Sequence, residues 1–481
     1  MERLNQNLAT STATRATIPH TSSYLKNQHF RLKTNERKYD RQFYSMYQFR
    51  YKHLKDRVLR AATAKWGDGT KKVDGQNIFK QDKILDIQSG QLCWVIGTVF
   101  CDLKNKLDIL QDVEKGVDDV LPVAPATYVD AEEEGKPITS VMLEDESGRA
   151  VLHNDEFLKK NILVTGCIVA VLGMEIQAGV FEIMDVVYPD PCPTGPLPAE
   201  SSGKIAIVSG LSISEGVEDD LRLELLKQYL AGELGLEKDI NAVKDITRLV
   251  VAGDSIKQLQ EATSESERRD FVTTNNYGSK NTLKYNPESL VKLDQFLHVI
   301  LTHMPVSIMP GDSDPAEICL PQQPLHKSLF GGNYRFMNED RFQNLTNPHW
   351  FEFDGIRVLG TSGQNITDIL KYLPASTQEE NILIQAMEST IKWQDIIPTA
   401  PDTLYCYPYD DFDPFLLEDE TPHVYFAGNQ KLYGLKRYQF KAGGQEHSVR
   451  MLSVPRFCET GQIVVLDLKT LESEVVTIEL S

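Results

Sequence analysis

Apolar residues recur at helical spacing between about residues 40 and 62, where Phe43, Tyr47, Leu54 and Val58 line one side with Met46 and Tyr51 beside them. Arg50, Lys52, Lys55 and Arg57 fill much of the rest, so the stretch predicts a basic amphipathic helix. That much aromatic surface favours packing on a neighbouring domain over contact with nucleic acid, and it makes Phe43, Tyr47 and Leu54 the docking positions. From about 82 to 189 the period becomes that of strands, with short runs at 93–100, 140–143, 150–152, 162–172 and 180–187. A Gly-containing turn over 144–149 and one long loop at about 104–136 complete the pattern of a small Greek-key barrel of the OB type.

Five prolines between 189 and 198 mark a stiff linker. Beyond it, apolar runs at 203–213, 248–256 and 306–315 each end in a glycine-bearing tip, and the chain between them has room for the helix of a right-handed βαβ crossover. Leu221, Leu225, Leu226, Tyr229 and Leu230 supply one such helix. Asn286, Pro287 and Glu288 read as the N-cap, first position and first-turn acid of another, after a polar insertion at 261–284. Asp354-Gly355 signals a hairpin, 382–391 a helix, and 423–428, 449–454, 463–466 and 475–478 further strands. The expected organisation is a multidomain α+β and α/β chain: a disordered leader (1–38), an N-terminal helical segment (39–80), an OB-type barrel (81–189), a Pro-rich linker (190–200) and an α/β sandwich (201–481).

Charge narrows the function. The formal net charge is −19, yet residues 1–60 hold 13 Lys/Arg against 4 Asp/Glu, which leaves about −28 on the remainder. Such a body repels a phosphate backbone, and the barrel strands offer few basic or aromatic residues to stack single-stranded bases, so DNA binding is weak or absent in this reading. The leader is Thr/Ser-rich and poor in acids but lacks the apolar face of a transit peptide. The seven cysteines are scattered and never in Cys-x-x-Cys spacing, which indicates neither a disulfide framework nor a zinc site. No apolar run reaches the roughly eighteen residues of a membrane helix.

The three tips, taken in order, resemble the motif skeleton of the calcineurin-like metallophosphoesterases: Asp-x-His, Gly-Asp-x-x-Asp, Gly-Asn-His-Asp/Glu and a late Gly-His-x-His. That chemistry clamps two cations roughly 3.5–4 Å apart with Asp, His and Asn ligands. Gly210 and Ser212 stand where the first Asp and His belong, Lys257 where the second Asp of the Gly-Asp motif belongs, and Asp312-Ser313 where Asn-His belongs. The best counterpart of the last motif, around Asn429, holds no histidine. Asp254 alone cannot hold two metals. With Asp312 and Asp314 it offers oxygens for one weak cation, or else these carboxylates cap loops at an old cleft. The histidines at 298, 303, 326, 349 and 423 follow no motif glycine at ligand spacing and read as structural. The expected state is a degenerate cleft with no catalytic residue, metal or cofactor.

The strings 142–149, 320–326, 360–365, 398–404 and 422–425 together resemble the small, or B, subunits of eukaryotic replicative DNA polymerases, nearest to the fungal delta branch. The resemblance runs from about residue 38 to the end. It implies an OB domain on an inactivated phosphoesterase-like domain, acting in the nucleus as a non-catalytic scaffold. Its implied partners are the DNA polymerase delta catalytic subunit, through a C-terminal cysteine-rich module, a third accessory subunit, and the catalytic subunit of a translesion polymerase. Two other readings remain open at this point: an active phosphoesterase or nuclease with rebuilt ligands, and a single-strand-binding OB module.

Overall fold

The computed structural model describes residues 15, 26–33, 37–40, 42–73, 75–103, 106, 126–129, 140–214, 217–258, 285–338, 341–374, 381–410 and 412–479. The insertion expected at 261–284, most of the loop at 104–136 and most of the leader lie outside them. Within the leader, however, Lys26–Phe30 forms a short helix, α1, with Asn27 and Phe30 buried, so disorder does not extend through these residues. The Asn27 amide pairs with the backbone of Trp350 as a neighbouring strand would, donating to its carbonyl at 2.7 Å and accepting its N–H at 2.8 Å. Those bonds and the burial of Phe30 offset the ordering entropy that a polar stretch otherwise could not.

Helix α2 spans Tyr44–Trp66 and buries Met46, Arg50, Leu54, Val58, Ala62 and Trp66, every fourth residue. The barrel behind it is made of β1 (Cys93–Asp102), β2 (Ser140–Glu144), β3 (Arg149–His153), β4 (Ile168–Gln177) and β5 (Val180–Val187), with a single helical turn and a half, α3 (Asp155–Lys160), between β3 and β4. Pairing runs β1-β2-β3-β5-β4 and returns to β1, so the sheet closes and has no free edge among these strands. The strand expected from 162 starts only at Ile168, because the chain first turns at Gly166, whose φ is +94°.

The second half is a two-sheet sandwich with helices outside. Its first sheet contains β6 (Lys204–Val208), β7 (Ile246–Ala252), β8 (Val306–Met309) and β9 (Phe342–Asn344), all parallel, with an antiparallel C-terminal pair added beside β6. The crossovers are α4 (Val217–Ala231) with α5 (Glu237–Lys244), then α6 (Pro287–His303), which opens as expected with the Asn286 side chain accepting from Glu288 N–H at 2.8 Å. The second sheet begins with the hairpin of β10 (His349–Phe353) and β11 (Ile356–Thr361), whose turn residues Asp354 and Gly355 both have positive φ. Helices α7 (Gln364–Lys371) and α8 (Ile382–Trp393) follow. Then β12 (Val424–Gln430), β13 (Gly434–Ala442) and β14 (Gln445–Pro455) complete this sheet, and β15 (Gln462–Asp467) and β16 (Ser473–Thr477) are the pair that joins the first. Ile207, Val250, Phe351, Val358, Phe426 and Leu452 fill the space between the sheets.

Candidate functional site

The carboxyl ends of β6, β7, β8 and β12 converge on one crevice, the position where open α/β sheets carry ligands. Backbone bonds tie the first two tips together: Gly210 N–H donates to Gly253 O (3.0 Å), Ser212 N–H to Asp254 O (2.9 Å) and Ile213 N–H to Ser255 O (2.9 Å). The third tip lies directly against them, since a Cβ on Gly311 would sit 2.3 Å from Asp254 N. Ser212, Asp254 and Asn429 hold φ values of 47°, 54° and 55°, a left-handed conformation that costs free energy away from glycine and is concentrated at functional or once-functional sites.

What occupies the crevice is an ion pair. Asp254 is buried, accepts Ser313 N–H on Oδ1 at 3.0 Å, and receives Arg456 Nη2 on Oδ2 at 2.5 Å. Burial opposes the Arg456 charge, but Asp254 outweighs it and holds the guanidinium ionised. Asp314, also buried, accepts Ser255 and Ile256 N–H on Oδ1 (2.8 and 3.0 Å) and Gly311 N–H on Oδ2 (2.8 Å). Burial and then the Asp254 charge push its carboxyl up to about 7, against the pull of those three donors. Asp314 therefore caps the loops. Asp314→Asn is expected to destabilise the fold by about 1–3 kcal/mol in urea denaturation, because an amide NH₂ must then face backbone N–H groups. An unchanged midpoint would contradict that account.

The remaining positions singled out in the sequence are spread around this pair. Gly210 accepts Cys458 N–H, Lys257 is exposed, Asp312 is exposed, and the Ser313 hydroxyl bonds Ile256 O at 2.8 Å. Asn429 donates its amide to Ala252 O and Ser362 O, which links β12 to the other tips. Among the described residues no three His, Cys, Asp or Glu side chains are grouped to hold a metal ion. Sequence reasoning missed Arg456, and it missed the amide cluster beside it. Asn347 lies within 2.7–2.8 Å of Gln322, Ser362 and Gln364, and Gln322 Nε2 donates to Gly311 O. His349 contacts Asn27 and Thr346, His298 contacts Asn333, and burial lowers the His423 pKa against the opposing pull of its bond to Gly195 O. Hydroxyls, amides, the capping Asp314 carboxyl and one ion pair brace these loops against one another.

The docking positions of α2 lie inside the chain. Leu54 is buried with Val58 and Trp66 against Trp94, Ile168 and Leu172 of the barrel, whereas Phe43 and Tyr47 are only half-buried. The centre of the buried face is Arg50, which the charge pattern placed toward solvent. It bonds Asp413, Pro398 O and Ala400 O, all from the sandwich half, so the helix is gripped from both sides. The proline-rich linker is likewise held: Cys192 N–H donates to Gln394, and Thr421 donates to Cys192 O and Pro193 O.

Two family models match, one described as the DNA polymerase delta subunit OB-fold domain over residues 42–186, the other as the B-type subunit of DNA polymerase alpha/epsilon over 205–434. The DNA polymerase delta small subunit of Saccharomyces cerevisiae is 38% identical over 97% of this chain and 95% of its own length. The chain belongs to the DNA polymerase delta small-subunit family. The small subunit of Oryza sativa subsp. japonica is 34% identical over 92% of this chain and 95% of its own, and DNA polymerase delta subunit 2 of Drosophila melanogaster 32% over 93% and 95%. A solved structure described as a novel archaeal phosphodiesterase is 12% identical, covers 57% of this chain and 98% of its own, and superposes with a TM-score of 0.23, too low to support an inference. Within the delta small-subunit family, the OB-fold match begins at residue 42, so α2 is matched together with the barrel it covers.

Proposed function

We propose that this chain is a non-catalytic accessory subunit of DNA polymerase delta, built as an OB barrel fixed to a calcineurin-like phosphoesterase sandwich that has given up its metals. The observation that carries the reading is Arg456 on Asp254: the carboxylate at the centre of the crevice is already neutralised by a cation of the chain itself. The run of relatives named as delta small subunits along nearly the whole length supports it as well. In this role the rigid body scaffolds the catalytic subunit, through that subunit's C-terminal cysteine-rich module, and a third accessory subunit. It works in the nucleus and also serves the catalytic subunit of a translesion polymerase. Co-purification from the cell tests this. Stoichiometric polymerase subunits are expected, with no bound transition metal and no phosphodiesterase activity in the isolated chain. Two equivalents of metal with hydrolysis abolished by Asp254→Asn would overturn it in favour of a working phosphoesterase.

A further inference from the structure

We propose that the sandwich carries a guanidinium-binding cradle where α4, α5 and β7 meet, and that Arg15, within the basic first sixty residues of the same chain, fills it as an intrachain anchor. Arg15 Nη1 donates to Val243 O at 3.1 Å and to Ile246 O at 2.8 Å and lies 3.8 Å from the Met304 sulfur, while Nη2 donates to Leu230 O. Leu230 stands at the end of α4 and Val243 at the end of α5, and last-turn carbonyls lack intrahelical partners and carry the negative end of the helix dipole. Two helix ends and the start of a strand thus present three oxygens to one planar cation. Only a guanidinium has donors forked to reach all three; an ammonium is a single point on a flexible stem.

Burial brings the Arg15 pKa down to about 10, with the Tyr229 hydroxyl pulling the other way, and the group stays charged at neutral pH. The same segment holds on elsewhere by matching chemistry. Lys26 pairs with Glu420 at 3.2 Å and lies 4.7 Å above the Trp350 ring, and Arg37 pairs with Glu317. A first sixty residues with 13 Lys/Arg against 4 Asp/Glu, on an acidic body, is charge complementarity within one chain.

The test uses the full-length protein. Trypsin should cut after Arg15 about tenfold more slowly in the native chain than in a synthetic peptide spanning residues 8–22. Hydrogen exchange of amides over 228–246 should rise about tenfold in Arg15→Ala, with amides of barrel strand β1 unchanged as the sign that the fold is intact. Arg15→Lys should behave like the alanine variant. If wild-type Arg15 is cut as fast as in the peptide, or if Arg15→Ala leaves exchange over 228–246 unaltered, there is no anchor. If Arg15→Lys behaves like wild type, the cradle reads charge alone and the guanidinium assignment falls.

Discussion

Arg50→Ala is expected to lower stability by about 3–5 kcal/mol, the loss that follows when one partner of a buried ion pair is removed and the other charge is left behind. Arg50 is 1% exposed, and its Nε lies 2.7 Å from Asp413 and 3.1 Å from Asp395, themselves 0% and 1% exposed. Its other nitrogens donate to Pro398 O at 2.7 Å and Ala400 O at 3.0 Å, so each of the three nitrogens has an acceptor. Burial disfavours the Arg50 charge, and the two carboxylates more than restore it. Denaturant unfolding gives the number. Adding Asp413→Asn to an Arg50→Met variant should recover part of the loss, since the carboxylate bonded to Arg50 Nε is then gone; failure to recover any would mean that packing, not charge, dominates.

The same cluster makes a pH prediction. Burial, with the neighbouring Asp413, pushes the Asp395 carboxyl up to about 7 from the 3.8 of an unfolded aspartate, against the pull of Arg50. Between those values the folded chain binds the proton and the unfolded chain does not. The contribution is therefore fully present below the unfolded value and is lost as pH rises through about 7. From pH 6 to pH 8 this group should cost on the order of 1 kcal/mol, and Asp395→Asn should flatten that part of the stability profile.

Gly166→Ala is expected to be severely damaging. A Cβ there would lie 2.0 Å from Pro398 O and 2.8 Å from Arg50 Nη1, on a residue with φ +94°. Left-handed strain and overpacking against backbone together amount to about 3 kcal/mol or more, and relief requires the barrel to back away from the sandwich. Gly179→Ala is the control: its φ is +79°, nothing stands within 4 Å, and only the strain of about 1 kcal/mol should appear. Equal losses in the two variants would show that the close approach of the halves carries no energy.

These sites show where sequence is readable and where it stops. The tips at 210, 254 and 312 were legible because each is local: an apolar run, a glycine, then a polar residue. The Asn286 cap and the Asp354-Gly355 turn were legible for the same reason. Arg50 was not, because a cation at helical spacing reads as a solvated face until its acids are found more than 340 positions away. Arg456 lies 202 positions from Asp254, and nothing local to either residue signals so distant a partner. Strand β13 was missed because it is an edge strand whose Lys436, Arg437, Gln439 and Lys441 face largely outward and blur the alternation. Phe30 and Asn27 are single residues in a polar stretch, and composition averages them away.

One continuous core runs from Val95 and Phe181 in the barrel through Met46 of α2 to Trp393 and Tyr425 in the sandwich. The barrel interior and one face of the sandwich's second sheet are thus a single core, although the sandwich also keeps clusters of its own between its sheets and under α4 and α6. A chimera that joined this barrel to a relative's sandwich would confront side chains shaped for a different neighbour, so the two halves form a single unit of exchange, tradable only together with the helix wedged between them.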